Sequence, residues 1–334
     1  MMQRQLDPRY NDGHRAFLQG ILVRGAVSKK DLRILLANIL TAANGDDGQV
    51  LPDDIPDNLF TEYLTAVSDA ASLFDYEIRS TYHQLSKQHV YALVNTTSDP
   101  QTQLATFHTP QELSFIKRVL DAIFDTYNTP RMEVVAITEM QAMKLARPPN
   151  RRQSQANDDD DEVQDQPAAE KGLKHSEVED VLRNLVDQDW LEKSKDGFYS
   201  PTPRTLLELR PWLIEVYNDP DAEPDEWQRI KLCEACKDIL TIGRRCQEPS
   251  CNLRLHDICH EAFFRSRRSK NCPKCDTAWT GERYVGERAI TMTKAYQKGR
   301  RRDGGARRST LADDIMHQEG GGQTASEQED DVDE

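Results

Sequence analysis

All seven cysteines of this 334-residue chain lie in the 43 residues from Cys233 to Cys275. Together with one histidine they form four closely spaced pairs. Two residues separate the members of three pairs and four residues separate those of the second, so both side chains of a pair can face one tetrahedral ion. The pairs are Cys233 with Cys236, Cys246 with Cys251, His256 with Cys259, and Cys272 with Cys275.

Four pairs supply eight ligands, which is enough for two closed four-coordinate metal sites. Soft thiolates favour Zn²⁺ over Mg²⁺ or Ca²⁺, and the histidine and even pairing argue against an iron–sulfur cluster. The first residues contain no apolar stretch of the kind found in a secretory signal. We therefore expect a reducing compartment, where metal binding is commoner than a disulfide framework. The prediction is a domain holding two Zn²⁺ ions.

The regular spacing suggests that the two sites are interleaved. A sequential arrangement stays possible, but it would leave no link between the two halves. His260 is an alternative ligand, although His256 matches the spacing of the other pairs. A segment of about 50 residues has little core of its own, so we expect metal to determine whether it folds. The predicted ligands are Cys233, Cys236, His256 and Cys259 for zinc 1, and Cys246, Cys251, Cys272 and Cys275 for zinc 2.

Two families share this order of four cysteines, one histidine and three cysteines. One is the PHD finger, which reads histone tails, and the other is a RING variant, which recruits ubiquitin-conjugating enzymes. The four-residue gap in the second pair suits a PHD finger. Lys270, however, stands where a PHD finger usually has an aromatic residue, and Pro273 is typical of RING domains. Phe263 and Phe264 follow the third pair, where RING domains often place groove residues. These local features favour RING.

The elements that position this region begin with a winged-helix pattern over residues 10–108. Apolar residues at helical spacing, and then at alternating spacing, predict three helices followed by a two-stranded hairpin. Ser28 and Asp31 resemble a capping box for the second helix. The third helix is predicted over 57–73 and the last strand over 90–95. Three helices and a hairpin form the plan of a winged helix.

The same plan is predicted again over residues 109–220, interrupted by an acidic insert at 147–172. Ser176 is the predicted N-cap of its third helix, and Asp196 with Gly197 is expected to turn the wing. A final helix would lead into the cysteine region. The predicted helices are 110–127, 132–145, 175–190 and 203–217.

The predicted fold class is therefore mainly α with small β wings: two tandem winged-helix domains, then a small two-zinc cross-brace RING-like domain over 228–285. Net charge is −14, charged residues make up 30%, and mean hydropathy is −0.75. No apolar run approaches the ~20 residues that a membrane span requires. Polar composition predicts disorder at the start, in the insert and in the charged tail, which are residues 1–9, 147–172 and 298–334.

The charges on the third helices bear on nucleic-acid binding. In many winged folds this helix enters the major groove, and phosphate contacts require Lys or Arg. The segment 57–73 carries three acidic residues and no basic residue, and 175–190 carries five acidic residues against Arg183. Both helices would repel a phosphate backbone. We therefore expect the winged helices to dock proteins, and we expect direct DNA binding by this acidic chain to be unfavourable.

Three stretches resemble one family across residues 10–285. VYALVN at 90–95, KDGFYSPTPRTLLELRPWLIEVY at 195–217 and the cysteine region are similar to non-structural maintenance of chromosomes element 1. That family is a nuclear, chromosome-associated subunit of the structural maintenance of chromosomes five/six complex. The resemblance implies winged helices that bind a MAGE-domain subunit, which joins a kleisin subunit. It also implies ubiquitin-ligase activity of the RING-like domain, in DNA repair and recombination.

The cysteine count restricts how such a ligase would work. A covalent ubiquitin thioester requires a free thiolate, and the zinc assignment uses all seven cysteines. We therefore expect no catalytic residue, only positioning of a charged ubiquitin-conjugating enzyme. Active RING domains commonly have a larger aliphatic residue where this chain has Ala235, and a basic residue where it has Asp276. The alternatives are a non-catalytic structural adaptor or a PHD-type histone reader.

Overall fold

The computed structural model describes residues 10–45, 48–97, 108–148, 172–223, 225–267, 269–302 and 311–316. Helices predominate in these residues, and the strands form three antiparallel sheets of three strands each. The predicted fold class is confirmed. Of the segments expected to be disordered, 1–9 and all but the ends of 147–172 lie outside the described residues. No described helix is long and apolar enough to cross a membrane.

The first winged helix contains the predicted three helices and hairpin, together with one short strand that pattern reasoning missed. Strand β3 lies at the centre of its sheet, between β1 and β2. Ser28 begins the second helix as predicted, since its hydroxyl accepts a hydrogen bond from the Asp31 amide at 3.1 Å. The elements are α1 Asp12–Arg24, β1 Ala26–Ser28, α2 Lys29–Asn44, α3 Asp57–Ala71, β2 Tyr76–Tyr82 and β3 His89–Asn95.

The second winged helix also has a three-stranded sheet, in the order β4-β6-β5. Its wing turns at Asp196 and Gly197, where the φ of 87° suits glycine. The elements are α4 Pro110–Asp121 with a π-helical turn Ala122–Thr126, β4 Ile137–Thr138, α5 Glu139–Lys144, α6 His175–Asp187, β5 Leu191–Lys193, β6 Phe198–Pro201, α7 Pro203–Glu208 and α8 Arg210–Tyr217.

Three details of this module differ from prediction. The helix expected over 132–145 covers only α5, because the β-branched residues before it form strand β4 and pair with β6. The helix expected over 203–217 is two helices, α7 and α8; Pro211, in the first turn of α8, has no amide to continue the hydrogen-bond ladder. The N-cap of α6 is Lys174 instead of Ser176, and the Glu177 carboxylate accepts the Lys174 amide at 2.8 Å.

The cysteine region is built on a small sheet with one helix. Strand β7 pairs antiparallel with both β8 and β9. Two isolated bridges, Leu232 with Ile239 and Asn271 with Ala278, close the loops that carry the two C-x2-C pairs. The elements are β7 Gly243–Arg245, β8 Arg254–Leu255, α9 Asp257–Arg265 and β9 Tyr284–Val285, followed by α10 Arg288–Thr291 and α11 Lys294–Arg302.

The apolar cores divide the chain differently from its three sheets. The first winged helix buries a cluster of its own, which includes Phe17, Leu36 and Phe60. The second winged helix and the cysteine region share one continuous cluster, in which Leu185 and Leu213 belong to the same core as Leu253, Leu255 and Val285. The cysteine region is therefore packed against the second winged helix over an apolar interface.

The tail departs from the disorder predicted for 298–334. Residues 294–302 form α11, and residues 311–316 are helical as well. Ala312, Ile315 and Met316 are buried against Tyr296 and the second winged helix, and Asp313 pairs with Lys144. Polar residues dominate the composition of the whole tail. That average conceals three apolar residues at helical spacing, which are enough to dock one turn and a half of helix.

Candidate metal centre

The first group of ligands joins a loop to the start of a helix. Cys233 and Cys236 lie in the loop closed by the Leu232–Ile239 bridge, and His256 and Cys259 lie at the first turn of α9. Their ligand atoms all lie within 4.8 Å of one another. The Cys236 Sγ and His256 Nδ1 atoms are 3.3 Å apart. The spacing of three along the helix places His256 and Cys259 on one face.

A hydrogen bond orients the histidine of this group. The His256 ring is buried, and its Nε2 lies 3.2 Å from the Ile239 carbonyl oxygen. Since a carbonyl can only accept, Nε2 carries the proton and Nδ1 presents its lone pair to the three sulfurs. Metal-ligating histidines almost always donate their second ring nitrogen in this way. The ring is therefore held in the tautomer that a metal requires.

The second group contains only cysteines. Cys246 follows β7, Cys251 lies before β8, and Cys272 and Cys275 lie in the loop closed by the Asn271–Ala278 bridge. Their sulfur atoms also lie within 4.8 Å of one another. Cys246 and Cys275 are 3.4 Å apart between Sγ atoms, and Cys251 and Cys272 are 3.6 Å apart.

These separations fit zinc. With a Zn–S bond of about 2.3 Å, the edge of a regular tetrahedron of sulfurs is about 3.8 Å long. The observed 3.4 and 3.6 Å are close to that edge, and they are far above the ~2.05 Å of a disulfide bond. The chain therefore provides two groups of four Cys and His side chains that are compatible with two zinc ions.

The two C-x2-C loops have the same backbone form. In each, the residue after the second cysteine has a left-handed conformation, with a φ of 62° at Lys237 and 57° at Asp276. The amides of these two residues donate to the Cys233 and Cys272 carbonyls, each at 2.8 Å. This tight turn brings both sulfurs of a pair to the same side of the loop.

The thiol pKa values indicate which cysteines ionise in the protein alone and which need a bound metal ion. A hydrogen bond from Cys236 lowers the pKa of the Cys233 thiol to about 3. Burial raises the pKa of Cys251 and of Cys259 to about 11. In Cys275 the effect of burial is outweighed by hydrogen bonding, and its pKa is lowered to about 6. Each group therefore favours one thiolate, whereas Cys251 and Cys259 require the positive charge of a bound cation to ionise.

The structure brings together the first and third pairs, and the second and fourth pairs, so the grouping is interleaved and not sequential. His260 lies outside both groups. Its Nε2 accepts a hydrogen bond from the Trp279 indole at 2.8 Å. Since every cysteine of the chain belongs to one of the groups, no thiol is left over for a covalent intermediate.

A buried ionic network joins this centre to the second winged helix. The Glu133 carboxylate accepts two hydrogen bonds from the Arg254 guanidinium, at 2.6 and 2.7 Å, and one from the Trp227 indole at 3.0 Å. Arg245 lies 3.5 Å from the same carboxylate. Burial raises the pKa of Glu133, but hydrogen bonding to Arg254 outweighs it and the pKa is lowered. Sequence reasoning missed this network, whose members lie 121 residues apart.

An aromatic surface lies beside the first group, on α9 and the loop after the last cysteine. The Phe264 ring lies 5.3 Å from both Phe263 and Trp279. The Arg267 guanidinium lies 4.3 Å from the Phe263 ring. All three aromatic side chains are partly exposed. Phe263 and Phe264 lie where sequence reasoning expected groove residues, whereas Trp279 was missed; a lone tryptophan four residues after the last ligand was its only signal.

The two residues that depart from active RING domains are both exposed. Ala235 lies between the cysteines of the first loop, and Asp276 directly follows those of the second. The Asn271 side chain donates to the Asp276 carboxylate at 3.2 Å. The neighbouring Leu232 side chain is 41% exposed. An aliphatic contact beside the first loop is thus available, but it comes from before the first ligand and not from position 235.

The winged helices have acidic third helices, as expected. Within α3 there is no basic residue, and hydrogen bonds from Lys29 and Arg33 lower the pKa of Asp57. In α6 the one Arg or Lys is Arg183, which pairs with Asp180 at 2.7 Å. Neither helix offers a row of cations to a phosphate backbone.

These observations define a class: a tandem winged-helix protein whose second module carries an interleaved, RING-like pair of metal groups. Residues 14–209 match the model of the family described as Nse1 non-SMC component of SMC5-6 complex, and residues 233–275 match a RING-like domain. The chain belongs to the Nse1 family. The resemblance inferred from the sequence is confirmed, and the RING-like match favours RING over a PHD finger.

Relatives of the same description lie in distant organisms. The chain is 24% identical over 271 residues to the non-structural maintenance of chromosomes element 1 homolog of Homo sapiens, covering 81% of this chain and 85% of that protein. It is 23% identical over 288 residues to the Schizosaccharomyces pombe protein, covering 85% and 99%. A solved chain titled Nse1-Nse3-Nse4 complex has the same fold, with a TM-score of 0.61 and 20% identity over 82% of this chain and 99% of that one.

Proposed function

We propose that this protein is the RING-type ubiquitin-ligase subunit of an SMC5-6 complex. Cys233, Cys236, His256 and Cys259 would hold one zinc ion, and Cys246, Cys251, Cys272 and Cys275 the other. The observation that carries the proposal is the interleaved pair of ligand groups with a partly exposed aromatic surface beside it. Bound zinc supplies the folding energy of the loops and takes no part in the transfer itself.

The mechanism is positioning. With every thiol assigned to metal, ubiquitin passes directly from the conjugating enzyme to a substrate lysine. Phe263, Phe264 and Trp279 present apolar area to the conjugating enzyme, with Leu232 contributing an aliphatic contact. Holding the thioester in an orientation open to attack accelerates transfer by lowering its entropic cost. The protein itself neither donates nor removes a proton.

An autoubiquitination assay tests this function. Zinc-loaded full-length protein is mixed with several charged conjugating enzymes, with and without a MAGE-domain partner. Phe263→Ala is expected to slow transfer about tenfold or more, because a central aromatic anchor contributes about 2 kcal/mol to an interface. Phe74→Ala is the matched control, since Phe74 is 74% exposed on the first winged helix. Absence of transfer with every enzyme, with and without partner, would refute the ligase.

A structural adaptor is the second candidate, and the exposed Ala235 and Asp276 favour it. Both positions lack the side chains through which active RING domains contact their partners. A double variant, Ala235→Ile with Asp276→Lys, restores them. Lys237 occupies the same left-handed position in the twin loop, so a lysine is compatible with that backbone. A ligase limited by these two contacts gains activity in the variant, whereas a pure adaptor stays inactive.

The winged helices would dock the other subunits. The solved chain of the same fold is titled Nse1-Nse3-Nse4 complex, which supports a MAGE-domain Nse3 and a kleisin Nse4 as partners here. The acidic α3 and α6 are consistent with protein contacts. Leu22 and Val23 at the end of α1 are 53% and 85% exposed, and they form a candidate contact. We place the protein in the nucleus, in DNA repair and recombination.

Co-purification with Nse3 tests the docking. Leu22→Asp with Val23→Asp is expected to release the partner, because two charges would enter an apolar interface. Leu85→Asp, at the exposed tip of the first wing, is the control. Undiminished capture of Nse3 by the double variant would show that Nse3 docks on a different surface. No capture by the wild-type protein would show that Nse3 is not a direct partner.

A further inference from the structure

The charge of the chain is divided sharply along its length. Residues 228–302 contain 18 Lys and Arg against 8 Asp and Glu, a formal charge of +10 in a chain of −14. The other residues therefore sum to −24. Seven thiolates and two divalent ions would lower the charge of the region by only three. The cysteine region and the helix after it thus form a basic segment of an otherwise acidic protein.

Three of these 18 cations, Arg245, Arg283 and Arg288, border one open cleft. It lies between the second winged helix and β9, and its volume is about 420 Å³. Its lining includes Arg131, Arg245, Arg283 and Arg288, with Glu282 as the one carboxylate. Two of these arginines are bonded to other residues of the protein, whereas Arg283 is exposed to solvent.

Two of the arginines are held by the fold. Arg245 is buried and bonds the Pro130 carbonyl at 2.8 Å beside Glu133, and Arg288 pairs with Asp257. Arg283 is exposed, and it has no side-chain partner among the described residues. Arg245 and Arg288 are therefore engaged by other residues of the protein, while the exposed Arg283 is available to a ligand.

Helix α11 continues the basic surface from the edge of the cleft. Thr293 lines the cleft, and Lys294 begins the helix. Tyr296 is fully buried and fixes the helix against the second winged helix. Lys294 and Lys298 are exposed, and neither is paired within the described part of the chain. Since four residues rise about 6 Å, these two cations follow one another along a single line.

We propose, against the expectation from the net charge and the winged helices, that duplex DNA binds along this cleft and α11 through its phosphates, without base readout. The row of exposed cations calls for a ligand of regularly repeated negative charge. Duplex DNA carries one charge per about 1.7 Å of axis, whereas an extended acidic peptide carries at most one per about 3.3 Å. The cleft is open at its mouth, as a backbone passing through would require.

The test measures the salt dependence of binding. Zinc-loaded full-length protein is titrated into a fluorescein-labelled 30-bp duplex at 50 to 200 mM salt, and anisotropy gives the affinity. The triple variant Arg283→Gln, Lys294→Gln, Lys298→Gln removes three exposed cations of the site. We expect the slope of log K against log salt to become less steep by about 2 to 3, because each lost phosphate contact removes about 0.9. Affinity at 50 mM salt falls at least tenfold.

The matched control is Lys30→Gln, Lys117→Gln, Lys195→Gln, which removes three exposed cations from the winged helices. The control keeps the wild-type slope if the site is real. Equal losses in both variants would reduce the effect to net charge and overturn the proposal. So would wild-type protein that does not bind DNA at 50 mM salt.

Oligoglutamate of equal charge that displaces the duplex at equal concentration would assign the cleft to acidic peptides. Unchanged zinc content verifies that each variant is folded. Lys298→Glu alone, which reverses one of the three charges, is expected to weaken DNA binding in the same assay.

Discussion

The two winged helices share a plan but close their cores in different ways. The first surrounds its own cluster, in which Phe17, Leu36 and Phe60 meet side chains of the same module. The main core of the second is not its own, because Leu185 and Leu213 belong to a cluster that continues into the cysteine region. Stability of the second module is therefore coupled to that of the cysteine region, whereas the first shares only the small cluster of Ala92, Val94 and Leu207 with the second.

The surfaces between modules show the same difference. Between the second winged helix and the cysteine region lie a continuous apolar core and the Glu133–Arg254 network. The first winged helix reaches the cysteine region through polar contacts of its wing: Gln84 bonds Ile239, Thr241 and Ile242, and the Thr81 hydroxyl donates to Asp238 at 3.3 Å. A shared core makes two modules unfold together, whereas a few hydrogen bonds let them unfold separately.

Zinc removal should give the largest effect. Structural zinc sites contribute about 10–16 kcal/mol each in zinc-finger peptides. Chelation at neutral pH is expected to unfold the cysteine region and to loosen the second winged helix with it. Hydrogen exchange is the measurement: amides of α6 lose protection, while those of α2 keep it. Equal protection of α2 and α6 after chelation would contradict the shared-core view.

Breaking the buried network comes next. Glu133→Gln leaves Arg254 buried without a counter-charge, which costs about 3–5 kcal/mol. Urea denaturation should show this loss in the transition that reports the second winged helix and the cysteine region. Glu139→Gln is the control, because its partner Lys193 is exposed and such pairs contribute at most about 1 kcal/mol. Equal losses of unfolding free energy in the two variants would show that the buried Glu133–Arg254 pair contributes no more than an exposed ion pair.

The polar link of the first winged helix should matter less. Gln84→Ala removes an acceptor of the Thr241 and Ile242 amides, at 3.1 and 2.8 Å, and a donor to the Ile239 carbonyl at 3.0 Å. Leaving buried amides unpaired costs about 1–3 kcal/mol. Urea denaturation measures the loss, and Gln88→Ala, an exposed residue of the same wing, serves as control. A loss above that of Glu133→Gln would reverse the ranking of the two interfaces.

The smallest expected effect is a pH dependence between the two wings. His83 lies 3.6 Å from the Glu192 carboxylate, and hydrogen bonding to Glu192 raises the pKa of His83. A raised folded pKa means that the stabilisation is complete below the ordinary histidine pKa of about 6.5 and is lost as pH rises through the folded value. Wild-type protein should lose up to about 1 kcal/mol between about pH 6 and pH 8.

A variant isolates this term in the free energy of unfolding. His83→Gln should remove the pH dependence over that interval, and His175→Gln, exposed at the start of α6, should retain it. Asp189 also acts on His83 through its charge, so Glu192→Gln is expected to remove most of the dependence and not all of it. An unchanged pH profile in His83→Gln would assign the dependence to other groups.

Sequence reasoning succeeded where a feature depends on residues close together in the chain. The spacing within each ligand pair anticipated the loops that place two sulfurs side by side, since two intervening residues can close only a tight turn. Ser28 and Gly197 mark a helix start and a wing turn because each acts on its immediate neighbours. Helical and alternating periodicity predicted most elements of both winged helices for the same reason.

The failures involve residues far apart in the chain. Neither periodicity nor spacing indicates that Glu133 meets Arg254, or that residues 311–316 dock on the second winged helix. Regular spacing suggested interleaved ligand groups, but only the folded chain brings Cys246 beside Cys275. The merging of two cores, and the cleft that Arg131 and Arg283 border together, also arise from packing. Such contacts depend on which apolar faces meet when the chain is compact, and the local sequence pattern does not specify which faces these are.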